Sequence, residues 1–343
     1  MALTKDFRET IRERAQREPR FRHGYSEGRF LWLFNEPTAY YRRHLLLHEG
    51  THSFMATILG SIGPPWYAEG MAELMATHRL EDGRLTLDVV PAHREEVPDW
   101  GRIRLVKDAF AQRRAMRLDG ILAYSSSAHL EVEPYAWCWA AAAMLDRTPA
   151  YRERFQQLAR HVAEPDFNEQ FRRAFARDWP QLNEQWAVFI AGIEYGYDFQ
   201  RAAIDFGPGQ PLRAEGAAVR VAADRGWQSS GISLSGGSTY RLEAAGRYQV
   251  ATEPKILECE PGGISIRYYQ GRPLGLLLAA VDPDASPPKG PTALLRPTVV
   301  GLGTTLDVQQ SGTLYFKINL SAAELQQAAG HLEVKVNSKG RAD

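Results

Sequence analysis

His48-Glu49-Gly50-Thr51-His52 sets two imidazoles four residues apart with a carboxylate beside the first. On a helix, four residues make just over one turn, so both rings leave one face and can take two sites on a single metal ion. Nitrogen donors of this kind suit zinc, and two of them leave a tetrahedron half filled. Seventeen positions after His52, in Trp66-Tyr-Ala-Glu69-Gly-Met-Ala-Glu73, comes Glu69. The break Gly60-Ser-Ile-Gly-Pro-Pro65 folds this second segment back antiparallel. His52 lies about two turns before the break and Glu69 about one turn after it, so the two can meet around one ion. Glu73 follows at i+4 on the face of Glu69, placed to accept the free N–H of a ligating histidine. Met71, Ala72, Leu74 and Met75 make the surroundings apolar, where two unpaired carboxylates are costly without a cation. The plain alternatives are a chance pentapeptide on an exposed helix and a solvated glutamate face.

The elements that must carry these groups are two helices, read over 38–59 and 66–79. Before them, the aromatic run at 28–35, closed by Pro37, reads as a strand, and 4–17 reads as a charged helix. Further helices are expected over 102–117, 134–145, 150–162, 166–176 and 182–193. His44 and His78, one turn from the motif residues, are expected to be structural, and the arginine pairs at 42–43, 113–114 and 172–173 to lie on solvated faces.

The text changes character near residue 200, where Gly, Pro, Ser and Thr begin to punctuate short alternating runs. Leu314, Phe316 and Ile318 alternate with polar partners, as do Leu332, Val334 and Val336, Ile232 and Leu234, Tyr240 and Leu242, and Ile264 and Ile266. Period two in several short runs reads as an antiparallel β-sandwich. The expectation is therefore a multidomain α+β chain: a mainly helical domain over 1–204 with a short edge strand, a linker at 205–212 and a sandwich over 213–343.

Composition narrows the classes. The chain has 343 residues, 44% of them hydrophobic, enough to bury a core. Forty-one basic residues against 41 acidic ones leave no positive excess, which argues against phosphate-dominated nucleic-acid binding. Two distant cysteines, Cys138 and Cys259, exclude a disulfide scaffold and a thiolate zinc cluster. No run approaches a membrane span, and the charged first residues hold no signal-peptide core. A cytoplasmic location follows if Met1 is the natural start, and a secreted or periplasmic one if the chain begins late.

HEGTH followed by WYAEGMAE resembles the gluzincin metallopeptidases, and YYRRHLLLHEGTHSFM with PPWYAEGMAELMATH is similar to bacterial proteins termed peptidase MA-like. The resemblance covers about residues 25 to 195. It implies His48, His52 and Glu69 as zinc ligands, Glu49 as general base and Glu73 as the partner of a ligating histidine. Pro134-Tyr135 opening a helix is similar to the Pro-Tyr pair of aminopeptidase-type gluzincins, which implies Tyr135 as the oxyanion donor, with Tyr124 as second choice and His129 as a further candidate. The aminopeptidase Gly-x-Met-Glu-Asn segment is absent.

These roles imply amide hydrolysis of a peptide or protein substrate: zinc lowers the pKa of a water, and Glu49 takes its proton and passes it to the leaving amine. Gluzincins keep an edge strand before the active helix, which would make the strand at 28–35 a place for extended substrate. The sandwich faintly resembles the bacterial galactose-binding lectins, which implies a glycan as a second partner. NLSAAELQQAAGH, however, lacks their acidic, Asn-rich calcium loop. Two rival readings stand beside the peptidase. One is an inactive peptidase-like protein whose sandwich binds carbohydrate, and the other is a zinc hydrolase of a non-peptide bond.

Overall fold

The computed structural model describes residues 24–27, 30–125, 131–283 and 292–341. The helix expected at 4–17 and His129 lie outside the described residues. Contacts divide the chain into two compact units, Met1–Trp179 with Ile193–Tyr195, and Pro180–Gly192 with Gly196–Asp343. The first is helical and the second mainly β, so the chain is a multidomain α+β protein.

The first unit opens with an antiparallel hairpin of β1 (Gly24–Glu27) and β2 (Phe30–Leu33). Helix α1 (Ala39–Phe54) starts where Pro37 ends the extended run and Thr38 caps the first turn, its hydroxyl accepting from Tyr41 N at 3.2 Å. Its buried stripe, Tyr40, Tyr41, His44, Leu45, His48 and Glu49, follows the i, i+4 rhythm. The helix expected to run unbroken to residue 59 instead widens into a π-helical turn over Met55–Leu59, and Gly60 stops it with φ of +79°.

Helix α2 (Pro65–Ala76) begins with proline at its first position and ends at Thr77, whose hydroxyl donates to Glu73 O at 2.8 Å. That back-bond closes the helix before residue 79, and the chain continues into a hairpin of β3 (Arg79–Glu81) and β4 (Arg84–Thr86). Then follow α3 (Arg102–Ala111), α4 (Leu118–Leu122), α5 (Val132–Arg147), α6 (Pro149–Gln157) and α7 (Phe167–Ala174). α3 stops short of 117 because Arg113 takes φ of +59°, a left-handed conformation a helix cannot contain. Helix α5 is buried from Ala136 to Asp146, and its run of small residues lets α2 approach closely. Gly70 marks the contact: a Cβ there would lie 2.8 Å from Cys138 O and 3.1 Å from Ala142 Cβ. Helix α5 thus packs closely on α2 and, through Tyr135, also reaches His48 of α1.

In the second unit, α8 (Trp179–Gly192) contributes from Pro180 onward and α9 (Phe199–Ala202) follows. The strands are β5 (Gln210–Pro211), β6 (Ala217–Ala222), β7 (Gln228–Leu234), β8 (Ser238–Ala245), β9 (Tyr248–Ala251) and β10 (Leu257–Cys259). After them come β11 (Ile264–Tyr269), β12 (Arg272–Leu274), β13 (Leu277–Pro283), β14 (Thr298–Val299), β15 (Gly303–Val308), β16 (Gly312–Ile318) and β17 (His331–Arg341). They form a five-stranded sheet, β14-β13-β16-β7-β5, and a four-stranded sheet, β15-β8-β17-β6. All pairs in both sheets are antiparallel except the short parallel contact of β5 with β7.

Leu314, Phe316, Ile318, Leu332, Val334 and Val336 are buried as their alternation predicts, and the two apolar faces make a sandwich core. The opposite face of the larger sheet is also covered, since Leu278, Ala280 and Tyr315 pack with Ile204, Trp227 and Leu294 against Val188 of α8. Covering on both sides is why β16 is buried nearly throughout, and β13 over Leu277–Ala280, instead of alternating. Ile266 departs from the expected core and is 77% exposed, because among the described residues β11 pairs only with β12, in a separate two-stranded hairpin.

The arginine pairs are not all simply solvated. Arg43 is only partly exposed and donates to His78 Nε2 at 3.2 Å, whereas Arg172 and Arg173 lie on an exposed face as expected, pairing there with Asp119 and Asp166, each at 2.7 Å. No helix among the described residues is long and apolar enough to cross a membrane.

Candidate metal centre

Helices α1 and α2 meet in rungs that run in opposite chain directions. His44 Nδ1 is 3.1 Å from Ala76 O, His48 Nδ1 is 3.4 Å from Glu73 Oε1, and His52 Nε2 is 3.3 Å from Glu69 Oε2. Each step of one turn up α1 is a step of about one turn down α2, the mark of an antiparallel pair.

At the last rung three donor atoms converge. His48 Nε2 lies 3.1 Å from Glu69 Oε2 and 3.1 Å from His52 Nε2, and the third side of the triangle is the 3.3 Å of His52 to Glu69. Ligands held at ~2.0–2.1 Å from a tetrahedral ion are about 3.3–3.4 Å apart, so this triangle is the face of a zinc-sized tetrahedron to within a few tenths of an ångström. Glu69 Oε2 is buried and, among the described residues, has no hydrogen bond aligned on it, as an atom aimed at a common third point would be. The charge fits as well. With both histidines neutral, as ligands to a metal must be, Glu49, Glu69 and Glu73 with Arg102 give three carboxylates and one guanidinium, a surplus of two negative charges that a divalent cation would balance.

Burial alone would lower the pKa of His48, but the Glu69 and Glu73 carboxylates hold it up at about 10. Burial would likewise raise Glu69, but His52 and His48 bring it down to about 2. Without metal the site is therefore an imidazolium among carboxylates, the arrangement a cation would replace.

A second trio, His44, His48 and Glu73, is also close enough to share an ion. Its carboxylate is already taken. Arg102 Nη2 donates to Glu73 Oε1 at 2.8 Å and Arg102 Nε to Oε2 at 3.1 Å, while Trp100 Nε1 donates to Oε2 at 3.1 Å. A metal ion there would sit against a guanidinium, so of the two trios the one on the Nε2 side of His48 is the better fit for a cation. This corrects one sequence expectation: of the two carboxylates that needed a cation, Glu73 has its own in Arg102. Burial pulls Glu73 up, but Arg102 and His44 hold it well below the carboxylate range.

Glu49 is 7% exposed and faces β1, with a Cβ built on Gly24 falling 2.8 Å from its Oε1. Burial pushes its pKa up and Glu69 adds to that, against the two histidines and a hydrogen bond with Ser26. A carboxyl tuned upward beside the donor triangle is suited to taking and returning a proton. The strand beside it is β1, not the strand expected over 28–35, which is described as β2 over Phe30–Leu33.

Tyr135, on the first turns of α5, sets its ring against His48 with centroids 5.7 Å apart. Burial raises its pKa, and Glu69, Glu73 and Glu49 add to the effect, so the phenol stays protonated as a donor. Tyr124, after α4, has no ring contact with the histidines among the described residues.

Sequence reasoning missed Arg102, Trp100, Gly24 and Ser26. Arg102 left one local signal, a cation on the first turn of a helix, where the macrodipole disfavours it and some other partner must hold it.

No protein-family profile matches the chain, and no curated protein matches it either. Among solved structures, the EclA N-terminal domain, a PllA-like lectin, aligns at 19% identity over 36% of this chain and 95% of that one, with a TM-score of 0.27. IMPa from Pseudomonas aeruginosa in complex with an O-glycopeptide aligns at 14% identity over 78% of this chain, with a TM-score of 0.23. This chain covers 26% of the length of IMPa. Scores this low carry no weight, and the functional reading rests on the geometry of the site.

Proposed function

We propose that the protein is a zinc-dependent metallopeptidase of gluzincin type, with His48, His52 and Glu69 as ligands and Glu49 as general base. The observation that supports it is the 3.1, 3.1 and 3.3 Å triangle of donor atoms beside a buried carboxyl of raised pKa. The chemistry supplied by a bound zinc ion is polarisation of a water and of the scissile carbonyl. Glu49 accepts the proton of the attacking water and delivers it to the leaving amine. Tyr135 donates its hydroxyl to the oxygen on which negative charge develops. Glu73 holds the Nδ1 side of His48, so that Nε2 keeps its direction. The outer edge of β1 offers backbone groups to an extended substrate beside Glu49.

The test is metal analysis with hydrolysis of a peptide library by wild type and Glu49→Gln. Zinc retained in both, with turnover lost only in the variant, is the expected result. No zinc, together with glycan binding, would replace this reading with that of an inactive protein whose sandwich is a lectin. Zinc with cleavage of esters but not peptides would move the reaction to a non-peptide bond.

A further inference from the structure

We propose that Arg102 is a positioning residue for the metal centre, acting on His48 through Glu73. The inference rests on the metal-site reading above. Arg102 is only 4% exposed and Glu73 only 1%, and they come from elements 29 residues apart in the chain. Two guanidinium nitrogens reach the two oxygens of one carboxylate, at 2.8 and 3.1 Å. A fork of this kind fixes the plane of the carboxylate as well as its place, which an ammonium point charge does not.

Trp100 closes the arrangement from the other side. Its indole N–H donates to Glu73 Oε2 at 3.1 Å, while its carbonyl accepts from Arg102 Nη1 at 2.9 Å. The carboxylate is thus held by three donors, and its Oε1 is left facing His48 Nδ1 at 3.4 Å. Nδ1 and Nε2 belong to one rigid ring, so whatever sets the direction of the first sets the direction of the second. Nε2 is the atom in the donor triangle. The same guanidinium carbon lies 5.7 Å from the centroid of the Tyr135 ring, which in turn packs on His48. One buried cation thereby braces the carboxylate that orients a ligand and the ring that covers it.

The placement of Arg102 supports a dedicated role. It occupies the first position of α3, where the helix dipole repels a cation and where no side chain caps the helix. A buried carboxylate flanked by His44 and His48, each at 3.4 Å, could have been satisfied by those histidines alone. With the arginine present, the Glu73–Arg102 pair is neutral as a unit, so Glu73 orients His48 without adding uncompensated charge to the centre.

The experiment measures zinc affinity on the full chain by competition with a chromogenic chelator, with circular dichroism to show that each variant is folded. Arg102→Met is expected to weaken zinc binding by roughly 10–100-fold, the usual cost of losing an outer partner of a ligand. Arg102→Lys restores the charge without the fork and recovers part of the loss. In Glu73→Gln, adding Arg102→Met is expected to change affinity little further, because both act along one path. Trp100→Phe keeps the ring, removes one donor and gives a smaller loss, and it decides the matter should Arg102→Met not fold. Wild-type affinity in Arg102→Met or, failing that variant, in Trp100→Phe overturns the inference. So do fully additive losses in the double variant. A wild type that holds no zinc is a different failure: it removes the metal-site reading itself, and this inference with it.

Discussion

Replacing Glu69 by glutamine keeps the shape of the side chain and removes one vertex of the donor triangle. The expected loss can be worked out in order of magnitude. Structural zinc sites bind with about 10–16 kcal/mol over four ligands, so each ligand carries ~3 kcal/mol, close to a hundredfold in affinity. At a zinc concentration of about 1,000 times the wild-type Kd, binding stabilises the fold by about 4.1 kcal/mol, and a hundredfold weaker variant keeps about 1.4 kcal/mol. The zinc-dependent rise in Tm should therefore be smaller in Glu69→Gln by roughly 5–10 °C for a unit of this size. Thermal unfolding with and without zinc, alongside chelator competition, reads both numbers. His52→Ala should behave like Glu69→Gln, while His44→Ala should leave an affinity much closer to wild type, because His44 faces Glu73 and not the triangle. Wild-type zinc binding in Glu69→Gln, or loss in His44→Ala without loss in His52→Ala, would show that the ion sits elsewhere and refute the geometry.

Three further outcomes are expected. In Gly24→Ala the new Cβ would meet Glu49 Oε1 at 2.8 Å, against an ordinary contact of about 3.4 Å, so the carboxyl must move by roughly half an ångström; turnover should fall by about tenfold or more with zinc content unchanged, and unchanged turnover would detach β1 from the base. His48 is held at about 10 without metal, above its unfolded value near 6.5, so its contribution to the metal-free fold is full below about pH 6.5 and lost as pH rises through about 10. Glu69, lowered to about 2, contributes above its unfolded value near 4.5 and loses that contribution as pH falls through about 2. Zinc binding near pH 8 should accordingly release close to one proton, measured by calorimetry in buffers of different ionisation enthalpy, and zero release would contradict the pairing. In the β unit, burial pushes Glu184 up to about 7, with Asp282 adding and the Thr292 hydroxyl opposing. Stability should therefore fall as pH rises from about 4.5 through 7, and Glu184→Gln should relieve this by on the order of 1–2 kcal/mol after allowance for solvent contact. Urea unfolding at pH 5 and pH 8 measures it; an equal pH dependence in the variant would be the contrary result.

Much of the fold could be read without coordinates, and the reasons are local. Thr38 after Pro37, the proline pair at 64–65, and the alternation of Leu314, Phe316 and Ile318 each act over a few residues, through capping, fixed φ or the two-residue repeat of a strand. Where several elements compete for one surface, local reading falls short. Ile266 alternates like a core residue but is exposed because no second sheet covers its hairpin, and β13 does not alternate because α8 covers its outer face.

The same division runs through the candidate site. The sequence by itself determined that His48 and His52 leave one helix face and that Glu69 and Glu73 leave one face of the next helix, because one turn is nearly four residues wherever a helix forms. Only the tertiary structure decided which nitrogen of His48 meets which carboxylate, that Glu73 is held by Arg102 and Trp100, and that Gly24 lies against Glu49. Those contacts join segments 21 to 29 positions apart, and their partners are set by how buried charges find compensation once the helices pack. Helical periodicity is a property of neighbouring residues, whereas neutralising a buried carboxylate is a property of the whole packed unit.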